Sequence, residues 1–214
     1  MEDFDFKQIE FETEIRLFED YLVTMESFLT SEADKYNKSL KGIRASRVSE
    51  DPPEEQIPDD ELYDQYQLEA IDQFTNILRT SYFTMLYAFF ENKLVTECRS
   101  RKNNDTPLSF SDIAGHDDLE RAKTYFTKVL RTSFPSNMRE WQEIQQYRLL
   151  RNCLVHNRGR LDDSRYESLR KYVTRKTSLS AQYNEVSLGE GFCAEVLEII
   201  KSFLLVVLFE KGVS

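Results

Sequence analysis

The sequence predicts an all-helical fold, and three observations lead there. Gly and Pro are scarce, 6 and 5 residues among 214, so the backbone meets few breakers. Long stretches are rich in Leu, Glu, Lys and Gln, straight-chain residues that lose little freedom in a helix. Apolar residues recur at three- and four-residue steps, the period of a helix with one buried stripe. The expected fold is a helical bundle with a long N-terminal helix and a small hairpin near 177–189.

Each element has its own signal. From Phe6 to about Lys41 the chain has no Pro or Gly, and Ile9, Ile15, Phe18, Leu22, Met25 and Leu29 mark an apolar face. Gly42 is expected to end this helix. Residues 43–58 hold three of the five prolines among polar groups and read as a loop. Asp59, Asp60 and Glu61 suit the N-terminus of a second long helix reaching about Arg101. Its Tyr82–Glu91 stretch is apolar nearly all round, which places it centrally in the core. Ser109–Ala114 reads as a short helical turn closed by Gly115, and Asp117 to about Thr132 as a helix turning Leu119, Ala122, Phe126, Val129 and Leu130 inward.

Pro135 interrupts the chain. Ser136 or Asn137 is expected to cap the next helix, which carries Met138, Trp141, Ile144 and Leu149 and ends near Asn157, before Gly159. Asp162 or Asp163 caps a helix to about Arg175, and the last helix spans about Glu190 to Lys211. Residues 1–42 are thus the N-terminal helix, 43–58 a Pro-rich polar loop, and 59–214 the helical domain, all packed as one unit. There is no internal repeat, low-complexity tract or heptad run of coiled-coil length.

Composition excludes several classes. With 40% hydrophobic and 13% aromatic residues the chain is not disordered. Its three cysteines, Cys98, Cys153 and Cys193, are far apart, and no Cys/His cluster suggests zinc. They fit a reduced, cytoplasmic protein. The acidic start Met1-Glu2-Asp3-Phe4-Asp5 lacks the layout of a signal peptide, and the longest apolar run, Phe203–Phe209, is too short to cross a bilayer. No Gly-rich phosphate loop, His-Glu-x-x-His or Gly-x-Ser-x-Gly occurs, so neither metal nor cofactor is implied. The net charge of −10 hides an asymmetry: residues 121–180 hold 14 basic and 5 acidic side chains. Such a block is either a phosphate-facing surface or a set of cations answering acidic faces of the same protein.

There are two histidines. His116 follows Gly115 and reads as a loop or cap residue. His156 ends the run Tyr147-Arg148-Leu149-Leu150-Arg151-Asn152-Cys153-Leu154-Val155-His156, four residues after the polar pair Arg151-Asn152. At 100° per residue Arg151 and His156 lie roughly 140° apart around a helix, whereas Asn152 and His156 share a face. On spacing alone these residues also fit structural roles: Arg151 in an ion pair with an acidic helix, Asn152 capping a neighbour, His156 stabilised by a helix dipole.

The Arg-polar-x-x-x-His pattern, late in a helix of an all-helical chain, resembles the signature of the HEPN superfamily. An apolar helix ending Phe89-Phe90-Glu91 precedes it, similar to the acidic helix position of several bacterial HEPN groups. The resemblance spans roughly residues 60–211. It implies a metal-independent endoribonuclease of toxin–antitoxin or anti-phage defence type, acting as a homodimer on RNA, with an antitoxin or defence-system protein as a further partner and no membrane. Arg151, Asn152 and His156 would be catalytic. Arg158, Arg160 and Glu91 would contact substrate. A Tyr that accepts nucleotide modification in one HEPN group is replaced by Arg158, so control by that route is not expected. Some HEPN domains only dimerise or bind partners or nucleotides, and the alternative reading is such a non-catalytic module.

Overall fold

Two long helices organise the structure. α1 (Glu2–Arg47) and α2 (Asp59–Ser100) pack along each other. The computed structural model describes residues 2–47, 59–102, 106, 108–115 and 117–209. α1 turns Phe11, Ile15, Leu22, Met25 and Leu29 into the core, with Phe18 packed beside them. These positions alternate steps of four and three, the seam along which two helices interlock. α2 is central, as its apolar stretch predicts. Tyr82, Phe83, Leu86, Tyr87, Phe90 and Leu94 are all buried, because α1, α3 (Asp118–Thr124), α4 (Arg139–Asn157) and α6 (Phe192–Phe209) all pack on α2.

α6 (Phe192–Phe209) closes the core. The Phe192 ring lies 5.6 Å from Phe83, and Phe203 lies 6.0 Å from Phe90 while stacking on Trp141 at 5.4 Å. Full burial of each such ring contributes about 1.5–3 kcal/mol. α3 (Asp118–Thr124) starts where Asp117 accepts the Glu120 backbone N–H at 2.9 Å. α4 is Arg139–Asn157 and carries the Arg-polar-x-x-x-His run; α5 is Glu167–Val173, entered through a 3₁₀ turn at Ser164–Tyr166 that Asp163 caps. The hairpin pairs β1 (Leu179–Gln182) with β2 (Glu185–Leu188), antiparallel, Leu179 opposite Leu188. Tyr183 and Asn184 both have positive φ, 49° and 64°, as a tight two-residue turn requires.

The structure differs from the sequence expectation in four places. α1 runs through Gly42 to Arg47; one glycine costs a helix only about 0.5–1 kcal/mol. The first residues of the expected loop are therefore helical, and 48–58 lie outside the described residues. The helix expected over 117–132 is regular only to Thr124, then widens into a π turn over Tyr125–Val129. α4 starts at Arg139 behind Met138, without a side-chain cap from Ser136 or Asn137. α6 begins at Phe192, after Gly191, and the expected end of that helix beyond Phe209 is not described, nor is His116. Among the described residues no helix is long and apolar enough to cross a membrane. The three cysteines are free and buried.

Candidate functional site

The last turns of α4 present the motif. The helix ends because Arg158 adopts a left-handed conformation (φ 52°) and Gly159 another (φ 78°). Both backbone N–H groups return to the Cys153 carbonyl, the Gly159 bond at 3.0 Å. Cys153 and Leu150 face the core, while Arg148, Arg151 and Asn152 are half-buried and Val155 and His156 are exposed. Arg151 and Asn152 therefore sit at the edge of the core and His156 on the solvent side of α4.

Beside it lies a cleft of about 510 Å³, lined by Tyr87 and Glu91 of α2, Asp117 and Asp118 at the start of α3, and Arg148, Leu149, Arg151 and Asn152 of α4. Two of its carboxylates are engaged. Asp117 pairs with Arg148 and caps α3, and Asp118 pairs with Arg121 at 2.6 Å. The other charges are open. Arg151 donates one N–H to the Asn152 side-chain oxygen at 3.1 Å. Among the described residues it forms no salt bridge, so the structural role of an ion pair to an acidic helix is unfilled. Glu91 likewise has no hydrogen-bond or ion-pair partner there. Burial pushes its carboxyl above the ordinary range, partly offset by the nearby Arg151 charge. The Tyr87 hydroxyl is buried without a partner, and burial pushes its ionisation far up. An unpaired buried hydroxyl costs about 1–3 kcal/mol, and the Tyr125 and Tyr147 hydroxyls, away from the cleft, are buried in the same way.

One chain thus brings Arg151, Asn152 and Glu91 together and leaves the other candidates apart. His156 does not line the cleft. Arg158 lines a separate depression of about 230 Å³ with Asn76, Thr80 and Glu185 among its walls. Arg160 is exposed and held by Asp162 at 2.9 Å. Much of the basic 121–180 block answers acids of the same chain: Arg148 with Asp117, Arg165 with Asp163, Arg170 with Glu167, and Lys176 with Glu143. Tyr87, Asp117, Asp118 and Arg148 are cleft residues that the sequence did not single out. The only signals were spacings, Tyr87 four before Glu91 and Arg148 three before Arg151, each of which puts two side chains on one helix face. Among the described residues no group of three or more His, Cys, Asp or Glu side chains is placed to hold a metal ion. Comparison of this chain with protein-family models, with curated proteins and with solved structures finds no match.

Proposed function

We propose that the protein is a metal-independent endoribonuclease of the HEPN type, working as a homodimer. The observation that carries this reading is Arg151, half-buried in a polar cleft with N–H groups that no acceptor among the described residues takes, on the same helix as an exposed His156. In the proposed step the ribose 2′-oxygen attacks the adjacent phosphorus as the P–O5′ bond breaks. His156 takes the 2′-hydroxyl proton or supplies a proton to the leaving 5′-oxygen. Arg151 stabilises the added negative charge on phosphorus, the kind of electrostatic contribution that is often largest. Asn152 bonds a phosphate oxygen or orients the imidazole. The products carry 2′,3′-cyclic phosphate and 5′-hydroxyl ends.

His156 lies outside the Arg151 cleft of its own chain, and two-fold pairing of α4 helices supplies the missing copy. Val155, 46% exposed between Asn152 and His156, and Met85, 44% exposed on α2, are apolar side chains suited to that contact. Most apolar side chains of the Tyr82–Glu91 stretch and of α6 are buried inside the chain, so the contact rests on few residues. A mixture of Arg151→Ala and His156→Ala chains should recover part of the activity through one intact pair contributed in trans. Activity of the mixture no higher than that of either variant alone would contradict a shared site. A toxin–antitoxin or anti-phage setting, with a cognate partner protein, rests on the family resemblance alone.

The same separation of His156 from the cleft supports a second reading, a helical module that dimerises and binds a partner or nucleotide without cleaving it. Purified protein incubated with total RNA in EDTA separates the two. The nuclease reading expects cleavage that persists in EDTA, leaves 5′-hydroxyl ends and is lost in His156→Ala. Intact RNA at micromolar protein favours the module.

A further inference from the structure

We propose that the cleft reads a guanine base of the RNA next to the scissile phosphate, with Glu91 accepting from its Watson–Crick edge. This rests on the ribonuclease reading for its substrate class and adds what that reading leaves open, the base at the cleavage site. Asp117 and Asp118 are tied to Arg148 and Arg121, so Glu91 is the carboxylate left to accept. Across the cleft, among the described residues, neither the remaining Arg151 N–H groups nor the Asn152 amide nitrogen has an acceptor. The wall therefore offers one open acceptor flanked by donors.

Guanine is the base that matches this order. Its N1–H and N2–H₂ are adjacent donors that both oxygens of one carboxylate can accept, and its O6 is an acceptor beside them. Uracil and adenine present one donor group on that edge, and cytosine has a single amine. In this arrangement the Asn152 amide donates one N–H to O6 and keeps the other for the phosphate, while Arg151 remains on the phosphate. Bases of single-stranded RNA are splayed out and read on this edge, and 510 Å³ lies in the size range of small-ligand sites. A guanidinium from a protein partner would also satisfy Glu91, but it carries no acceptor and would meet the positive charge of Arg151.

The test is binding of the full-length chain to the monophosphates GMP, IMP, AMP, CMP and UMP, with free arginine as a control, by calorimetry at neutral pH. GMP should bind tightest, IMP, which lacks the N2 amine, about tenfold more weakly, and the others more weakly still. Glu91→Gln, which has nearly the same shape, should fold and lose the preference for GMP, and Asn152→Ala should reduce it. Equal binding of all five nucleotides, no binding at millimolar concentration, or arginine binding as tightly as GMP would overturn the proposal. Mapping of 5′-hydroxyl ends in cleaved RNA keeps the two readings apart. Cleavage without guanine at the site sinks the guanine proposal and leaves the nuclease standing, whereas GMP preference without any RNA cleavage does the reverse.

Discussion

Arg79 and Arg151 are both half-buried arginines with a Glu on a neighbouring helix, and they have opposite surroundings. Arg79 of α2 grips Glu26 of α1 with two parallel bonds, Nε at 2.8 Å and Nη2 at 2.6 Å, and gives Nη1 to the Leu188 carbonyl at 3.2 Å. The Glu26 bonds raise its pKa further. All three nitrogens of that guanidinium are used, and it ties the two long helices to the hairpin. Among the described residues Arg151 has one side-chain bond, to the residue next to it in sequence, and Glu91 stands across the cleft without closing on it. The first arrangement is finished within the chain. The second is finished only when something else arrives, and that difference separates a structural arginine from a ligand-binding one.

The largest effect that would sharpen the comparison is on stability. Arg79→Ala leaves Glu26 facing α2 without its partner and should cost about 3 kcal/mol, read as a fall in the denaturant midpoint. A cost below about 0.5 kcal/mol would make Arg79 no more structural than Arg151.

Glu91 predicts a smaller effect with a definite sign. Its carboxyl is raised by burial, so the unfolded chain loses this proton at a lower pH than the folded one. Folding is therefore favoured most below the ordinary Glu value of about 4.3, and that advantage is lost as pH rises through the raised value. Glu91→Gln does not titrate. Its melting temperature should exceed that of the wild type at pH 7, and the gap should narrow toward pH 4. A constant gap would show that the Glu91 charge carries no burial penalty in the cleft.

Tyr87→Phe removes a buried hydroxyl that has no partner and should leave stability unchanged or raise it by up to about 1 kcal/mol. A loss of more than 1 kcal/mol would mean that the hydroxyl is satisfied within the chain. The weakest effect concerns the two basic residues beyond the motif. Removing a side chain that neutralises one phosphate lowers the salt dependence of RNA binding by about one unit of slope. Arg158→Ala should show most of that change, because Arg160 is already held by Asp162. Equal changes for both would show that the Asp162 pair opens on RNA.

The helices were legible because their signals are local. Periodicity and carboxylates at helix starts act within a few residues. The π turn at Tyr125–Val129 and the run of α1 through Gly42 were not, since one is an irregular insertion in a periodic pattern and the other overrides a weak stop signal by continued helix. Arg151, Asn152 and His156 stood out because they share one short run. The remainder of the cleft could not be read in the same way. Tyr87, Asp117 and Arg148 meet only after α2, the start of α3 and α4 pack together, and nothing in the spacing of one helix says which neighbour its polar face will meet.

The most direct measurement is RNA cleavage in EDTA by Arg151→Ala beside the wild type, with thermal melting of both preparations. A catalytic Arg151 predicts cleavage reduced by about 10²–10³-fold with a melting temperature within about 2 °C, since an arginine without an ion-pair partner contributes little to folding. Cleavage at the wild-type rate, or activity and stability lost together as for Arg79→Ala, would contradict it.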